Sequence, residues 1–226
     1  MYKNLKWKKT IRGRYLQLFA SHENLDFGTD HPLLFIGGVH GDEPEGVYLV
    51  EALLEWIEQM YHKSHTLHPW VIVPCLNPDG FDEKKRVNGN GVDLNRNFPA
   101  KDWSKEFKQD RYYPGEQPAS ELETQALMEL IKKVKPKTII HCHSWKPSII
   151  YTGDDAFKLA KIFADVSGYD LQPDIGYPTP GSLGQYGYLD CQTGVICIEE
   201  REGADKKETW ARFQKAFEKI LLLEKN

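Results

Sequence analysis

The sequence predicts a single α/β domain: a mostly parallel, mixed and twisted sheet with helices on both faces. Short apolar runs of strand length alternate with amphipathic stretches at helical spacing, the signature of successive βα units. A chain of 226 residues, 40% of them hydrophobic, can also bury one substantial core. No repeat, low-complexity tract or linker-like segment divides residues 1–226, so one unit is expected.

Residues 14–20 form the first expected strand and 33–37 the second. A helix over 44–60 follows, with Val47, Val50, Leu54 and Ile57 recurring at three- and four-residue spacing. After a strand at 70–75, regularity stops: 77–118 is rich in Asn, Gly, Pro and charge, and loops of that length tend to be functional. Ser120-Glu121-Leu122-Glu123 reads as a capping box opening a helix to Val134, with Leu122, Ala126, Leu130 and Val134 on one face and Pro136 stopping it. Strands at 138–143 and 148–151, a helix at 155–167 and an irregular Pro/Gly stretch at 173–187 come next. A strand at 194–199 and a helix at 206–223 close the chain, the helix carrying Trp210, Phe213, Phe217, Ile220 and Leu221 on one stripe.

A net charge of −4, a pI near 6.1 and the lack of any dense Lys/Arg run exclude a nucleic-acid or anionic-membrane surface. The first nine residues are basic but have no apolar core behind them and no small-residue cleavage site, and no stretch reaches membrane-spanning length. A soluble cytoplasmic protein is expected. Cys75, Cys142, Cys191 and Cys197 make no C-x-x-C pair and are expected as free thiols. Oligomeric state is not legible.

The chemistry centres on Gly37-Gly38-Val39-His40-Gly41-Asp42-Glu43-Pro44-Glu45-Gly46, a turn from strand to helix. Its glycines allow a sharp bend, and Pro44 suits a first helical turn. His40 and Glu43 therefore lie three residues apart at the carboxyl end of a strand, where open α/β sheets place ligands. His141 and His143 alternate on a strand and point the same way, so either could add a third metal ligand. Two imidazoles, one carboxylate and an open position make the ligand set of hydrolytic zinc sites. In the loop, Arg96 stands among Asn and Asp residues between Val92 and Phe98, and a guanidinium forks onto a carboxylate. Glu199 ends an apolar strand, where an acid near a bound water acts as general base, with Glu200 and Glu202 as rivals.

Five segments, His40-Gly41-Asp42-Glu43, Asn77-Pro78-Asp79-Gly80, Gly91 to Pro99, His143-Ser144-Trp145 and Ile196-Cys197-Ile198-Glu199, stand in one order. That order resembles the zinc metallocarboxypeptidases of the carboxypeptidase A type, and within them the bacterial murein peptide amidase branch. The resemblance implies one Zn2+ per chain held by His40, Glu43 and His143, with Asp93 orienting His40. Arg86 is implied to stabilise the oxyanion, Asn95 and Arg96 to grip the substrate's free carboxylate, Tyr177 to close over it, and Glu199 to act as general base. The implied reaction is hydrolysis of the amide between γ-D-glutamate and meso-diaminopimelate in small cell-wall peptides. Removal of C-terminal L-amino acids, deacylation of N-acyl amino acids, or non-catalytic binding of peptidoglycan fragments are the alternatives. Glu200 departs from the family pattern, which has an apolar residue after the base.

Overall fold

A computed structural model describes residues 1–222, so the expected end of the last helix at Leu223 lies outside the described residues. The elements are β1 (Tyr2–Lys9), β2 (Tyr15–Ala20), β3 (Leu33–Ile36), α1 (Pro44–His62), β4 (Trp70–Val73), α2 (Pro78–Glu83), α3 (Leu122–Val134), β5 (Thr138–Trp145), β6 (Ser148–Thr152), α4 (Asp154–Ser167), β7 (Asp170–Gln172), the single turn α5 (Leu183–Gln185), β8 (Gly194–Arg201) and α6 (Lys206–Leu221). The eight strands form one sheet in the order β1-β2-β4-β3-β5-β8-β6-β7. Its centre, β4-β3-β5-β8, is parallel, and antiparallel pairings bring in β1, β2 and β6.

Alternation along the strands builds two cores. Leu33, Phe35, Ile140 and Ile196 pack under α1, α4 and α6, whose Leu53, Phe163, Phe213 and Phe217 are fully buried. Leu34, Ile36, Ile139 and Val195 face the other way, onto Leu127, Leu130 and Ile131 of α3. Near-continuous apolar runs such as Leu33 to Ile36 are what a strand covered on both faces requires. At the sheet's centre α1 lies directly on β5: a Cβ on Gly46 would stand 2.1 Å from the Cys142 carbonyl oxygen, so only glycine fits.

Three local readings change. Residues 2–9, for which the sequence pattern predicts no element, form an edge strand, with Tyr2 and Trp7 turned toward the second core and Lys3, Lys6 and Lys9 beside aromatic rings of β2. Lysines are a common guard of an exposed edge, and they mask the strand's apolar pattern. The expected capping box does not form. Glu121 is the N-cap, and the Ser120 hydroxyl donates to Glu121 Oε1 and accepts from Asn97 instead. Leu122 is exposed, whereas Leu127 and Ile131 complete the buried stripe. Glu200, out of pattern by sequence, is buried beneath the Tyr169 hydroxyl and Arg212, which supply the donors a buried carboxylate needs.

Glu123 occupies the position the box would have used and is also buried; its Oε2 accepts from Asn88 while its Oε1 has no partner among the described residues. Burial pushes its pKa from 4.5 up to about 7. The folded protein thus retains a proton that the unfolded chain gives up at lower pH, so stability declines as pH rises from 4.5 toward 7 and stays lower above it. Glu123→Gln is expected to remove that decline, gaining up to about 3 kcal/mol above neutral pH and nothing in acid. Urea unfolding on both sides of the transition measures it; equal effects at both pH values would contradict the buried-acid account.

Candidate active site

The carboxyl ends of β3, β5 and β8, with the α1 N-terminus and the 77–118 loop, bring the expected residues together. Gly38 holds a positive φ of 58° in the turn after β3, a conformation glycine adopts freely, and His40 emerges from that turn. Glu43 is the N-cap residue of α1, with Pro44 in its first turn. Residues Ile139, His141 and His143 share the α3 side of β5 by alternation, but the two histidines lie beyond the cover of α3.

His40 Nδ1 is 2.8 Å from Glu43 Oε1, His143 Nδ1 is 2.6 Å from Glu43 Oε2, and the two Nδ1 atoms are 3.0 Å apart. Each imidazole is held from behind. His40 Nε2 bonds Asp93 Oδ1 at 3.0 Å, and His143 Nε2 bonds His141 Nδ1 at 2.8 Å. Assigned from that network, the outer nitrogens carry the protons in the neutral rings. Two imidazole lone pairs and a carboxylate then face one point, which is chemically a cation's ligand set. Burial and then the charge of Arg86 lower the His40 pKa, but Glu43 and Asp93 outweigh them and raise it overall. Burial would raise Glu43 and Asp93; the two histidines in the first case, and Arg86 with His40 in the second, hold both well below the usual carboxylate range. The residues therefore fit zinc, with His143 rather than His141 as third ligand and His141 behind it.

Arg86 donates from Nε to Asp93 Oδ2 at 2.9 Å and from Nη1 to Glu43 Oε1 at 3.1 Å, tying the ligand carboxylate to the one behind His40. Asn95 Oδ1 accepts from the Leu183 amide at 2.9 Å, which leaves its amide nitrogen to the cleft. Arg96 is buried, its guanidinium donates to the Asn95 carbonyl, and it has no carboxylate partner among the described residues. Glu199, 5% exposed, accepts from Cys197 Sγ at 3.4 Å, and its Oε2 is buried with no hydrogen-bond partner among the described residues. Burial, then the charge of Glu43, push its pKa up to about 8. Tyr177 is exposed and meets Trp145 edge-on.

His40, Glu43, Arg86, Asn95, Arg96, His143, Tyr177 and Glu199 line one cavity of about 260 Å3. A side cavity of about 430 Å3 opens beside it, sharing Asn95, Tyr177 and Glu199, with Thr152, Asp174, Ser182 and Gln185 as polar lining. Sequence reasoning missed Tyr112, over whose ring the guanidinium groups of Arg86, Arg96 and Arg111 lie at 5.2, 5.9 and 5.6 Å. Nothing periodic marks it, since its loop is irregular. Cys197 was missed too, although alternation from Glu199 already places it on the same side of β8.

A buried His-Glu-His cluster and an adjacent carboxylate at the strand ends of such a sheet are the architecture of a zinc carboxypeptidase, and the chain belongs to that family, whose sequence pattern matches residues 5–211. Murein peptide amidase A of Escherichia coli (strain K12) is 33% identical to it over 164 residues, 68% of this chain and 64% of that protein. The chain thus aligns with somewhat less than two thirds of that relative's length. The crystal structure of murein-tripeptide amidase from Escherichia coli O157 has a TM-score of 0.78 at 25% identity, covering 98% of this chain and 92% of that one. Carboxypeptidase A of Helicoverpa armigera shares the fold, with a TM-score of 0.76 at 19% identity over 95% of this chain and 67% of that one.

Proposed function

We propose that the protein is a zinc-dependent amidase that hydrolyses the bond between γ-D-glutamate and meso-diaminopimelate in small murein peptides, in the cytoplasm. The observation that carries the hydrolytic reading is the buried Glu199 carboxylate, its Oε2 without a partner among the described residues, in the same cavity as His40, Glu43 and His143. Zinc bound by those three residues supplies Lewis acidity toward a carbonyl and toward water. Glu199 takes the proton of the attacking water and returns it to the departing amine. Arg86, fixed by Asp93, presents its remaining donor to the developing oxyanion. Arg96 and the Asn95 amide hold the free carboxylate of the departing residue, and Tyr177 folds over it.

The substrate assignment draws on the murein peptide amidase relatives and on the side cavity. Thr152, Asp174, Ser182 and Gln185 set polar groups among Ile150, Pro173, Ile175, Pro178 and Val195 in that cavity, and Asp174 offers a carboxylate to the ammonium of a diaminopimelate side chain. Mass-spectrometric analysis of products tests it. L-alanyl-γ-D-glutamyl-meso-diaminopimelate is expected to release diaminopimelate, at an efficiency well above that for peptides ending in L-leucine or L-phenylalanine. Preference for the L-peptides would replace this reading with an ordinary carboxypeptidase.

A further inference from the structure

Three guanidinium groups line the catalytic cavity, those of Arg86, Arg96 and Arg111, and the hydrolytic mechanism uses only the first two. Arg86 is fastened to Asp93 and Glu43. Arg111 is held more loosely: its side chain is half exposed, and its Nη2 donates to Asp42 Oδ2 at 3.4 Å. Its guanidinium lies 5.6 Å from the centre of the Tyr112 ring, and that of Arg86 lies 5.2 Å from the same centre. An aromatic face steadies a guanidinium without using up its N–H donors. The place of Arg111 decides what it can meet. The side cavity that takes the departing residue's side chain shares Asn95, Tyr177 and Glu199 with the catalytic cavity, but no arginine and not Tyr112. Arg86 and Arg111 instead line a further hollow with Asp42 and Asp110, which shares no residue with the side cavity. A substrate whose departing side chain fills the side cavity therefore carries its acyl half past Arg86 toward Arg111.

We propose that Arg111 binds the free α-carboxylate of the γ-D-glutamyl residue, and so makes the enzyme prefer substrates in which that group is a carboxylate over those in which it is a carboxamide. In a γ-D-glutamyl amide the scissile carbonyl belongs to the side chain, so the α-carboxylate stays free, three carbons away on the acyl side. None of the residues that carry out hydrolysis binds it. A guanidinium donates two parallel N–H bonds to a carboxylate, whereas a carboxamide offers one acceptor oxygen, no charge, and an NH2 group that faces the second N–H donor to donor. The incoming carboxylate competes with Asp42 for the cation, and a long, exposed ion pair costs little to give up. The assignment rests on the γ-D-glutamyl amidase reading of the site, which supplies the γ-linked substrate.

Two tripeptides assayed with the zinc-loaded protein test the proposal: L-alanyl-γ-D-glutamyl-meso-diaminopimelate, and the analogue with D-isoglutamine in the middle, identical but for its α-carboxamide. The parent is expected to favour the carboxylate at least about tenfold in kcat/KM, the scale of a hydrogen bond to a charged group, and chiefly through KM. Arg111→Ala is expected to bring that ratio close to one, the loss falling on the carboxylate substrate. Arg111→Lys keeps the charge without the fork and is expected to restore part of the preference; it also serves if the alanine variant does not fold. An equal loss on both tripeptides in Arg111→Ala would mark a merely structural role and overturn the assignment. A preference that survives the substitution would overturn it too, since another cation then holds the carboxylate. Equal efficiency of the parent on both tripeptides would remove the role of Arg111 and leave the amidase reading standing, whereas release of diaminopimelate from neither would end both.

Discussion

Glu199→Gln is expected to lower turnover by about 10²- to 10⁴-fold, the usual contribution of a positioned general base, while the protein still binds its zinc. Glutamine fills the same space and keeps an oxygen for the Cys197 thiol, so the loss is chemical rather than structural. Titration makes the same point. Because burial and Glu43 raise the Glu199 pKa from 4.5 to about 8, the carboxyl stays protonated in the folded protein at pH values where it would ionise in the unfolded chain. Activity therefore climbs with pH along an acid limb set by this group. Zinc on Glu43 replaces a facing negative charge with a positive one, which moves the limb to lower pH than in the metal-free protein. Glu199→Gln is expected to abolish that limb. The metal-free variant also becomes harder to unfold than the parent above the limb, since the parent alone then carries a buried, unpaired charge. Stopped assays across pH, with calorimetry of both proteins, decide the matter. Near-normal turnover in the glutamine variant would move the base elsewhere.

Removal of zinc is expected to abolish hydrolysis completely and reversibly. Without a cation, His40 and His143 present their Nδ1 atoms to each other at 3.0 Å, a contact that costs repulsion or an added proton. Zinc relieves that repulsion and binds only the folded chain, so the metal-free protein melts at lower temperature, and stoichiometric zinc restores both melting temperature and activity. His40→Ala, with one ligand gone and Asp93 and Arg86 left behind it, is expected to recover neither at the same zinc concentration. Metal analysis alongside the assay is the check, and hydrolysis surviving verified zinc removal would end the mechanism.

The parallel centre of the sheet was legible because burial on both faces leaves an uninterrupted apolar run, as at Leu33 to Ile36 and Val195 to Ile198. Amphipathic spacing likewise revealed α1, α4 and α6 to within a few residues. β1 was hidden because an edge strand pairs on one side only and its lysines break the pattern. The capping box failed because a sequence pattern does not say which tertiary partner competes for a side chain, and Asn97 and Asn88 engaged Ser120 and Glu123. At the site, strand period alone could place the histidine pair and Glu199, and the glycine-rich turn between an apolar run and a helical pattern could place His40 and Glu43. The division of labour between His141 and His143 depends on which nitrogen faces which neighbour, and no spacing rule encodes that. The arginine cluster around Tyr112 depends on the path of an aperiodic loop.

The seat of Gly46 on the Cys142 carbonyl has a further meaning. With helix and strand in direct backbone contact, the spacing between Glu43 and His143 is inherited from the most rigid part of the molecule, as one would fix two jaws to a single frame. Much of the side cavity's wall comes instead from residues 173–185, a separate stretch of chain that closes over the strand ends. Grafting a different stretch there should retune which amino acid is released while leaving the grip on the ion untouched.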